Sequence, residues 1–291
     1  MKNIRIIDVR AKDGDSAFLI DDGKTAIVYD SGFAFTGFEV VENIKKVLGD
    51  RKVDFIFLTH SHYDHALGSC YITQAYPNAK VVAGAYASKI FAKPTAKTVM
   101  RDLDNKFALS CGITEYEDLI DNLKVDIAVE DGDTIKAGDL TFTCIALPGH
   151  TKCSVGYYCK EKKLLLGCET LGVYDGAGSV IPAFLVGYEM TMQSIAKAKA
   201  LDVEYLLSPH FGILDKQQTK QYFVSSEIVT KEICFDIANK LKSGVDKQTI
   251  VKEYIDKVYL GYIKQIYPID AITLNTTIMV DLIEREVLPS L

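Results

Sequence analysis

The sequence contains no apolar run that approaches the length of a membrane span. Residues 1–20 scatter charged side chains among the apolar ones, so the uninterrupted apolar stretch of a signal peptide is absent. An excess of positive charge is lacking too: 33 lysine and arginine residues stand against 39 aspartate and glutamate residues. Because phosphate binding favours a basic surface, this balance argues against a nucleic-acid-binding protein. We expect a cytoplasmic protein without membrane contact.

The 291 residues fit one large domain, or one domain with an appendage. At 48% hydrophobic and 25% charged residues, the composition is that of a globular protein. Seven cysteines are an odd number without an evident export signal, so we expect reduced and mostly buried thiols. Two of them, Cys153 and Cys168, lie close in sequence to candidate metal ligands.

Histidine is scarce, with five residues in the chain, and three of the five occur in one short motif. An apolar run predicts a buried strand, and the motif THSHYDH, residues 59–65, follows it at once. Imidazole and carboxylate groups at this density beside a core need partners, and a divalent metal supplies them. His60 and His62 project to one side and can bind one ion. Asp64 and His65 come a turn later, just before a helix that is expected to begin around Ala66, and they can serve a second ion.

The other two histidines also stand at the ends of apolar strands. His150 follows the predicted strand 140–146 in the motif PGHT, where the Pro-Gly pair forces a sharp turn that exposes it. His210 follows the predicted strand 203–207. All five histidines of the chain therefore occupy the same kind of position, which scattered core histidines would not do.

The motif T-H-x-H-x-D-H, together with PGHT and the final histidine, resembles the signature of the metallo-β-lactamase-fold hydrolases. The resemblance implies an α/β fold, a four-layer αββα sandwich with two metal ions between two β-sheets. We expect this domain in residues 1–214, with a helical insertion at 85–125. A C-terminal all-helical extension is expected in residues 215–291.

The resemblance also implies the site residues. One metal ion would be held by His60, His62 and His150, and the other by Asp64, His65 and His210, with Glu169 bridging or nearly so. The resemblance further places Asp30 and Thr59 beneath the metal site as supports, although the segment Asp30-Ser31-Gly32 also fits an ordinary turn.

Glu169 is a departure from the family pattern, which normally has Gly-Asp where this chain has Cys168-Glu169. Glutamate keeps the charge and both oxygens but is one methylene longer. It either bridges both ions from a backbone set further back, or binds one ion; Asp175 is an alternative acid nearby. We expect two divalent ions, zinc first, with iron or manganese as alternatives.

From residue 215 onward, apolar residues recur at helical intervals and predict at least three amphipathic helices. The tail is rich in tyrosine, at positions Tyr254, Tyr259, Tyr262 and Tyr267. It either packs on the core, shapes a substrate pocket or forms a homodimer face. Similar helical tails occur in glyoxalase-II-like members and in the bacterial quinolone-response thioesterase branch; the long interval from His65 to His150 is more like the latter.

The resulting functional hypothesis is a metal-dependent hydrolase that uses a metal-activated water on a small-molecule substrate, with Asp64 as the catalytic residue that orients the water. The apolar, tyrosine-rich tail favours a thioester or acyl ester. The alternatives are a phosphodiesterase or ribonuclease of the same fold, and a regulatory metal-binding module with incidental hydrolysis. A β-lactam substrate is less expected, and a flavodiiron redox protein is disfavoured because the chain has no flavin-binding domain.

Overall fold

The chain divides into two compact units in the computed structural model, which describes residues 4–290. Unit 1 consists of Met1–Ala146 and Val155–Leu166, and unit 2 of Leu147–Ser154 and Gly167–Leu291. The predicted division at residues 214 and 215 stays a prediction, although a long helix does begin at Lys216.

Unit 1 contains a six-stranded mixed sheet in which sequence order equals spatial order. Its strands are β1 (Arg5–Asp8), β2 (Phe18–Asp21), β3 (Ala26–Tyr29), β4 (Phe55–Phe57), β5 (Lys80–Gly84) and β6 (Ile127–Val129). The first three strands pair antiparallel, and β3 to β6 pair parallel. The central strands consist of apolar residues because a parallel sheet is covered on both faces.

Unit 1 also contains four antiparallel strands in the order β10-β9-β8-β7. They are β7 (Thr134–Ala137), β8 (Leu140–Ala146), β9 (Val155–Cys159) and β10 (Leu164–Leu166). The Phe57 ring of β4 lies 5.3 Å from the Phe142 ring and 4.7 Å from the Tyr157 ring. The Tyr157 hydroxyl donates a hydrogen bond of 2.8 Å to the Leu58 carbonyl. These contacts show that the two sheets of unit 1 face each other across a shared apolar core.

Helices cover the mixed sheet: α1 (Gly37–Leu48), α2 (Tyr63–Ala66), α3 (Ser69–Ala75), α4 (Ala85–Phe91) and α5 (Pro94–Ser110). The predicted insertion 85–125 is helical mainly in its first part, which holds α4 and α5; its second part has a single 3-10 turn, Ile120–Asn122. Pro94 follows the end of α4 and begins α5, at a position where the missing N–H costs no hydrogen bond.

A buried carboxylate ties α5 to the loop that follows β3. Asp104 accepts hydrogen bonds from the backbone N–H groups of Ala34, at 2.9 Å, and Phe35, at 3.2 Å, and from the Tyr116 hydroxyl, at 2.6 Å. Burial raises the pKa of Asp104 to about 6. The neighbouring Asp15 binds the same loop through Phe33 and Thr36, and burial raises its pKa as well.

Asp104 should make the stability of the fold depend on pH. Its pKa in the folded state, about 6, lies above the ordinary 3.8, so the folded protein binds more protons than the unfolded chain between these values. The free energy of unfolding should therefore fall as pH rises from 4 to 6, by up to about 3 kcal/mol from this group. Denaturant titrations at several pH values should show a shallower fall for Asp104→Asn than for the exposed Asp102→Asn, and parallel curves would contradict this assignment.

Unit 2 consists mainly of helices: α6 (Tyr188–Lys199), α7 (Lys216–Lys242), α8 (Lys247–Val258), α9 (Gly261–Ile266) and α10 (Ile269–Glu286). It also holds two short hairpins, β11 (Val173–Tyr174) with β12 (Val180–Ile181), and β13 (Tyr205–Ser208) with β14 (Gly212–Leu214). The helical tail predicted from residue 215 is confirmed, and α7 begins with a capping box between Asp215 and Gln218. None of the helices in residues 4–290 is long and apolar enough to cross a membrane.

Candidate metal centre

The motif of unit 1 follows the carboxyl end of β4, as expected, and α2 begins earlier than predicted, so that Asp64 and His65 lie in its first turn. We call His60, His62, Asp64 and His65 the unit 1 cluster. The His60 ring centroid lies 4.6 Å from that of His62 and 4.1 Å from that of His65. His60 and His65 are fully buried, whereas His62 and Asp64 are half-buried. Three imidazoles and a carboxylate are thus concentrated at one strand end.

The side chain of Asp30 orients this cluster through hydrogen bonds to Thr59 and His65. Asp30 ends the neighbouring strand β3, and its Oδ2 lies 2.8 Å from His65 Nδ1. Its Oδ1 accepts from the Thr59 N–H at 2.9 Å and the Thr59 hydroxyl at 3.0 Å. Thr59 Oγ1 is in turn 2.9 Å from His60 Nδ1. Because Nδ1 of both rings is engaged in this way, Nε2 is the nitrogen suited to bind a metal ion.

Substituting Asp30 should weaken metal binding without disturbing the backbone. Asp30 has a φ of 50°, a left-handed conformation that asparagine also tolerates. We expect Asp30→Asn to lower zinc affinity by about 10- to 100-fold, because His65 loses the carboxylate that orients it. Competition with a chromophoric chelator measures this, with Asp126→Asn on the same sheet as the matched control. Equal affinities for the two variants would contradict the supporting role.

In unit 2, His150 is positioned by a glycine turn and two hydrogen bonds. A Cβ at Gly149 would approach Thr191 Oγ1 to 2.1 Å, so only glycine fits there. The His150 N–H donates to Thr170 Oγ1 at 3.1 Å, and Nδ1 lies 2.7 Å from the Ala183 carbonyl oxygen. A carbonyl only accepts, so Nδ1 carries the hydrogen and Nε2 of the neutral ring carries the lone pair.

Glu169 lies opposite that lone pair and, with His150 and His210, forms what we call the unit 2 cluster. Glu169 Oε2 is 2.8 Å from His150 Nε2, and its Oε1 is 3.5 Å from His210 Nε2. All three side chains are buried. A carboxylate oxygen facing an imidazole lone pair is repulsive unless a proton or a cation lies between them. The donor set and its geometry therefore fit a divalent metal ion.

The comparisons with known proteins agree with this geometry. A family model described as the metallo-beta-lactamase superfamily matches residues 12–210, which include every candidate ligand. The chain belongs to the metallo-beta-lactamase superfamily. The resemblance stated from the motifs is confirmed.

Individual members of the superfamily show more distant likenesses. "Glyoxylase B2" of Dictyostelium discoideum is 32% identical over 114 residues, 39% of this chain and 34% of that protein. "Hydroxyacylglutathione hydrolase" of Rhodopseudomonas palustris strain HaA2 is 34% identical over 82 residues, 28% of this chain and 31% of that protein. The chain thus matches about a third of the length of these curated relatives.

The structure resembles a metallo-beta-lactamase family protein from Thermus thermophilus, with a TM-score of 0.61 at 14% identity. The match covers 95% of this chain and 92% of that protein. At this identity the likeness concerns the fold alone. It confirms the predicted fold class, the metallo-β-lactamase α/β sandwich followed by C-terminal helices.

The structure places Asp175, the alternative acid considered from the sequence, and the cysteines that lie near the candidate ligands. Asp175 caps the turn between β11 and β12, where it accepts hydrogen bonds from the N–H groups of Ala177 and Ser179. Glu169, not Asp175, is the acid beside the unit 2 histidines. None of the seven cysteines forms a disulfide bond and six are buried, as expected; Cys153 Sγ lies 3.1 Å from Thr151 Oγ1.

Sequence reasoning missed the groups of the tail that contact the unit 2 cluster. The Tyr267 hydroxyl donates a hydrogen bond to Glu169 Oε1, and the Tyr262 hydroxyl donates to the His210 carbonyl. His210 has a φ of 62°, so this hydrogen bond is made to a candidate ligand residue in a left-handed backbone conformation. The abundance of tyrosine in the tail was visible in the sequence, but no local pattern assigns these two residues to the cluster.

Neutralising Glu169 should reduce metal retention. Glu169→Gln keeps the size of the side chain but removes the charge that faces His150, so we expect at least about tenfold weaker metal binding. Elemental analysis after gel filtration measures the metal retained per chain, with the exposed Glu161→Gln as the control. Full retention by Glu169→Gln would show that the carboxylate charge is not needed for binding.

Proposed function

We propose that the unit 1 cluster and the unit 2 cluster together hold two zinc ions, and that the protein hydrolyses a thioester or acyl ester. His60, His62 and His150 would hold one ion, and Asp64, His65 and His210 the other, with Glu169 as the shared acid. Each of these seven side chains belongs to a group of side chains that could hold a metal ion. The observation that carries the proposal is the engagement of Nδ1 in His60, His65 and His150, which supports coordination through Nε2 in each.

Bound divalent ions would acidify a water molecule and polarise the substrate carbonyl. Side chains of the protein would orient the water and the acidic ligand. Asp64 is half-buried, and its Oδ2 lies 3.5 Å from His65 Nε2, so its carboxylate is available at the cluster to orient the attacking water and accept its proton. Tyr267 donates to Glu169 and fixes one of its carboxylate oxygens. No nucleophilic side chain is required.

Two observations support a thioester or acyl ester over a phosphodiester. One curated relative carries the name hydroxyacylglutathione hydrolase, and the matched segment covers 28% of this chain. The net charge of −6 also disfavours a polyanionic substrate such as RNA. The substrate proposed here is therefore a neutral acyl group joined to a thiol or alcohol.

His62→Ala is the sharpest test of the proposed chemistry. His62 is half-buried, so its removal should leave the fold intact, whereas turnover should fall at least about 100-fold because a metal ligand is lost. Steady-state kinetics on a panel of thioesters, esters and phosphodiesters measures this, with circular dichroism as the fold check and Ser61→Ala as the neighbouring control.

The panel also separates the alternatives. Activity of the wild type confined to phosphodiesters would replace the proposed substrate class. Slow turnover on every substrate, unaffected by His62→Ala, would favour a metal-binding module that is not a hydrolase. Removal of metal with a chelator should abolish activity, and zinc should restore it.

A further inference from the structure

Tyr259, Tyr262 and Tyr267 lie in one short stretch of the tail, residues 259–267, which includes α9 and which we call the tyrosine segment. Their rings pack against one buried apolar cluster, which consists of Val173, Ile263, Ile266 and Ile272. All three hydroxyls donate hydrogen bonds, and two of the three acceptors belong to Glu169 and His210. The tyrosine segment thus combines an apolar anchor with polar contacts to two members of the unit 2 cluster.

The first of these contacts concerns the backbone of His210. The Tyr262 hydroxyl donates to the His210 carbonyl, and the Tyr262 ring lies 5.5 Å from the ring of the next residue, Phe211. The φ of His210, 62°, is one that residues other than glycine rarely adopt, so it depends on support from neighbouring groups. Tyr262 therefore contacts the backbone from which a candidate metal-binding imidazole projects.

The second contact concerns the carboxylate of Glu169. The Tyr267 hydroxyl donates to Oε1, the oxygen that lies 3.5 Å from His210 Nε2, and the Tyr267 ring lies 5.6 Å from the His210 ring. The backbone of Tyr267 is held on both sides: its N–H donates to the Ile263 carbonyl at 3.0 Å, and its carbonyl accepts from the Tyr259 hydroxyl at 2.9 Å. A donor on a fixed backbone thus meets a flexible carboxylate, and a hydrogen bond to a carboxylate is among the stronger ones.

Such contacts should matter for metal binding. A glutamate side chain loses rotamer freedom when it binds an ion, and a hydrogen bond that already restricts the side chain removes part of that cost. Removing a hydrogen-bonding partner of a metal ligand typically weakens metal binding by about 10- to 100-fold. The effect is reciprocal, because a contact that favours metal binding is itself favoured by the bound metal to the same extent.

We propose that Tyr262 and Tyr267 are positioning residues through which the tail raises the metal affinity of the unit 2 cluster, and that a bound metal ion in turn stabilises the tyrosine segment. The inference rests on the metal centre of the proposed function and gives the tyrosine-rich tail a role besides packing. Tyr262 acts through the backbone of His210, and Tyr267 acts through the carboxylate of Glu169.

Removing either hydroxyl should weaken zinc binding. Tyr262→Phe and Tyr267→Phe keep the ring and its apolar packing, so we expect zinc to bind at least about tenfold more weakly to each. Tyr254→Phe is the matched control, because this tyrosine of the same tail has a buried hydroxyl with no hydrogen-bond partner among residues 4–290. Competition with a chromophoric chelator measures the dissociation constants. A value within about twofold of the wild type for Tyr262→Phe or Tyr267→Phe would overturn the role of that residue.

A double-mutant cycle separates the positioning of Glu169 from a general effect on the fold. In Glu169→Ala the Tyr267 hydroxyl has no carboxylate to orient, so adding Tyr267→Phe should change zinc affinity by less than about twofold. Adding Tyr262→Phe to Glu169→Ala should still weaken binding about tenfold, because this hydroxyl acts on His210. Full additivity of Tyr267→Phe and Glu169→Ala would overturn the route through Glu169.

The reciprocal effect should be visible in amide hydrogen exchange of the full chain. Saturating zinc should slow exchange in residues 259–267 at least about fivefold, and should slow it less in residues 247–252, at the start of α8 in the same tail. In the double variant Tyr262→Phe/Tyr267→Phe, this difference between the two stretches should disappear. An equal effect of zinc on both stretches of the wild type, or no effect on either, would overturn the coupling.

These measurements do not depend on catalysis, so the inference and the hydrolase function can fail separately. If no ester is hydrolysed but the two phenylalanine variants lose zinc affinity as expected, the hydrolase function fails and the role of the tyrosines stands. If the wild type shows zinc-dependent hydrolysis but both variants bind zinc as tightly as it does, the function stands and the role of the tyrosines fails.

Discussion

The buried carboxylate of Asp30 is the constraint on which the unit 1 cluster depends. Both of its oxygens are occupied: Oδ1 by Thr59, and Oδ2 by His65 Nδ1 and the Ser16 hydroxyl. Because a buried polar group is costly unless it is hydrogen-bonded, the fold depends on these partners together. The carboxylate connects Ser16, Thr59 and the end of β3 to one imidazole, and thereby couples the packing of the sheet to the orientation of a candidate metal-binding nitrogen.

Glu169 plays a comparable part in unit 2, but its neighbours come from further along the chain. Its carboxylate faces His150 and His210, and the Tyr267 hydroxyl binds one of its oxygens. The extra methylene that distinguishes this residue from the aspartate usual in the family is accompanied by a tyrosine donor from the tail. A longer acid has more rotamers to lose, and the hydrogen bond from Tyr267 restricts them.

Much of the fold and of the candidate site was predictable because the informative residues were rare and locally placed. Five histidines, each after an apolar strand, indicated the cluster positions, and the helical periodicity after residue 215 indicated the tail. Tyr267 was not predictable, because its role depends on the return of the chain after α9 to a residue 98 positions earlier. Asp104 was missed for a related reason: a carboxylate in a charged helix looks exposed until the loop it binds is placed. The roles of Tyr267 and Asp104 both depend on single polar contacts between residues far apart in the sequence, and such contacts produce no periodic pattern in the sequence.

The contact between Tyr267 and Glu169 also bears on how this protein can change. One short stretch, from α9 into α10, contributes both apolar packing in the helical tail and the hydroxyl donor to a proposed metal ligand. Sequence drift there would alter the packing of the tail and the position of Glu169 in the same step. The tail is therefore a poor module for exchange between relatives, since a transplanted tail must also reproduce a hydroxyl at one particular point beside Glu169.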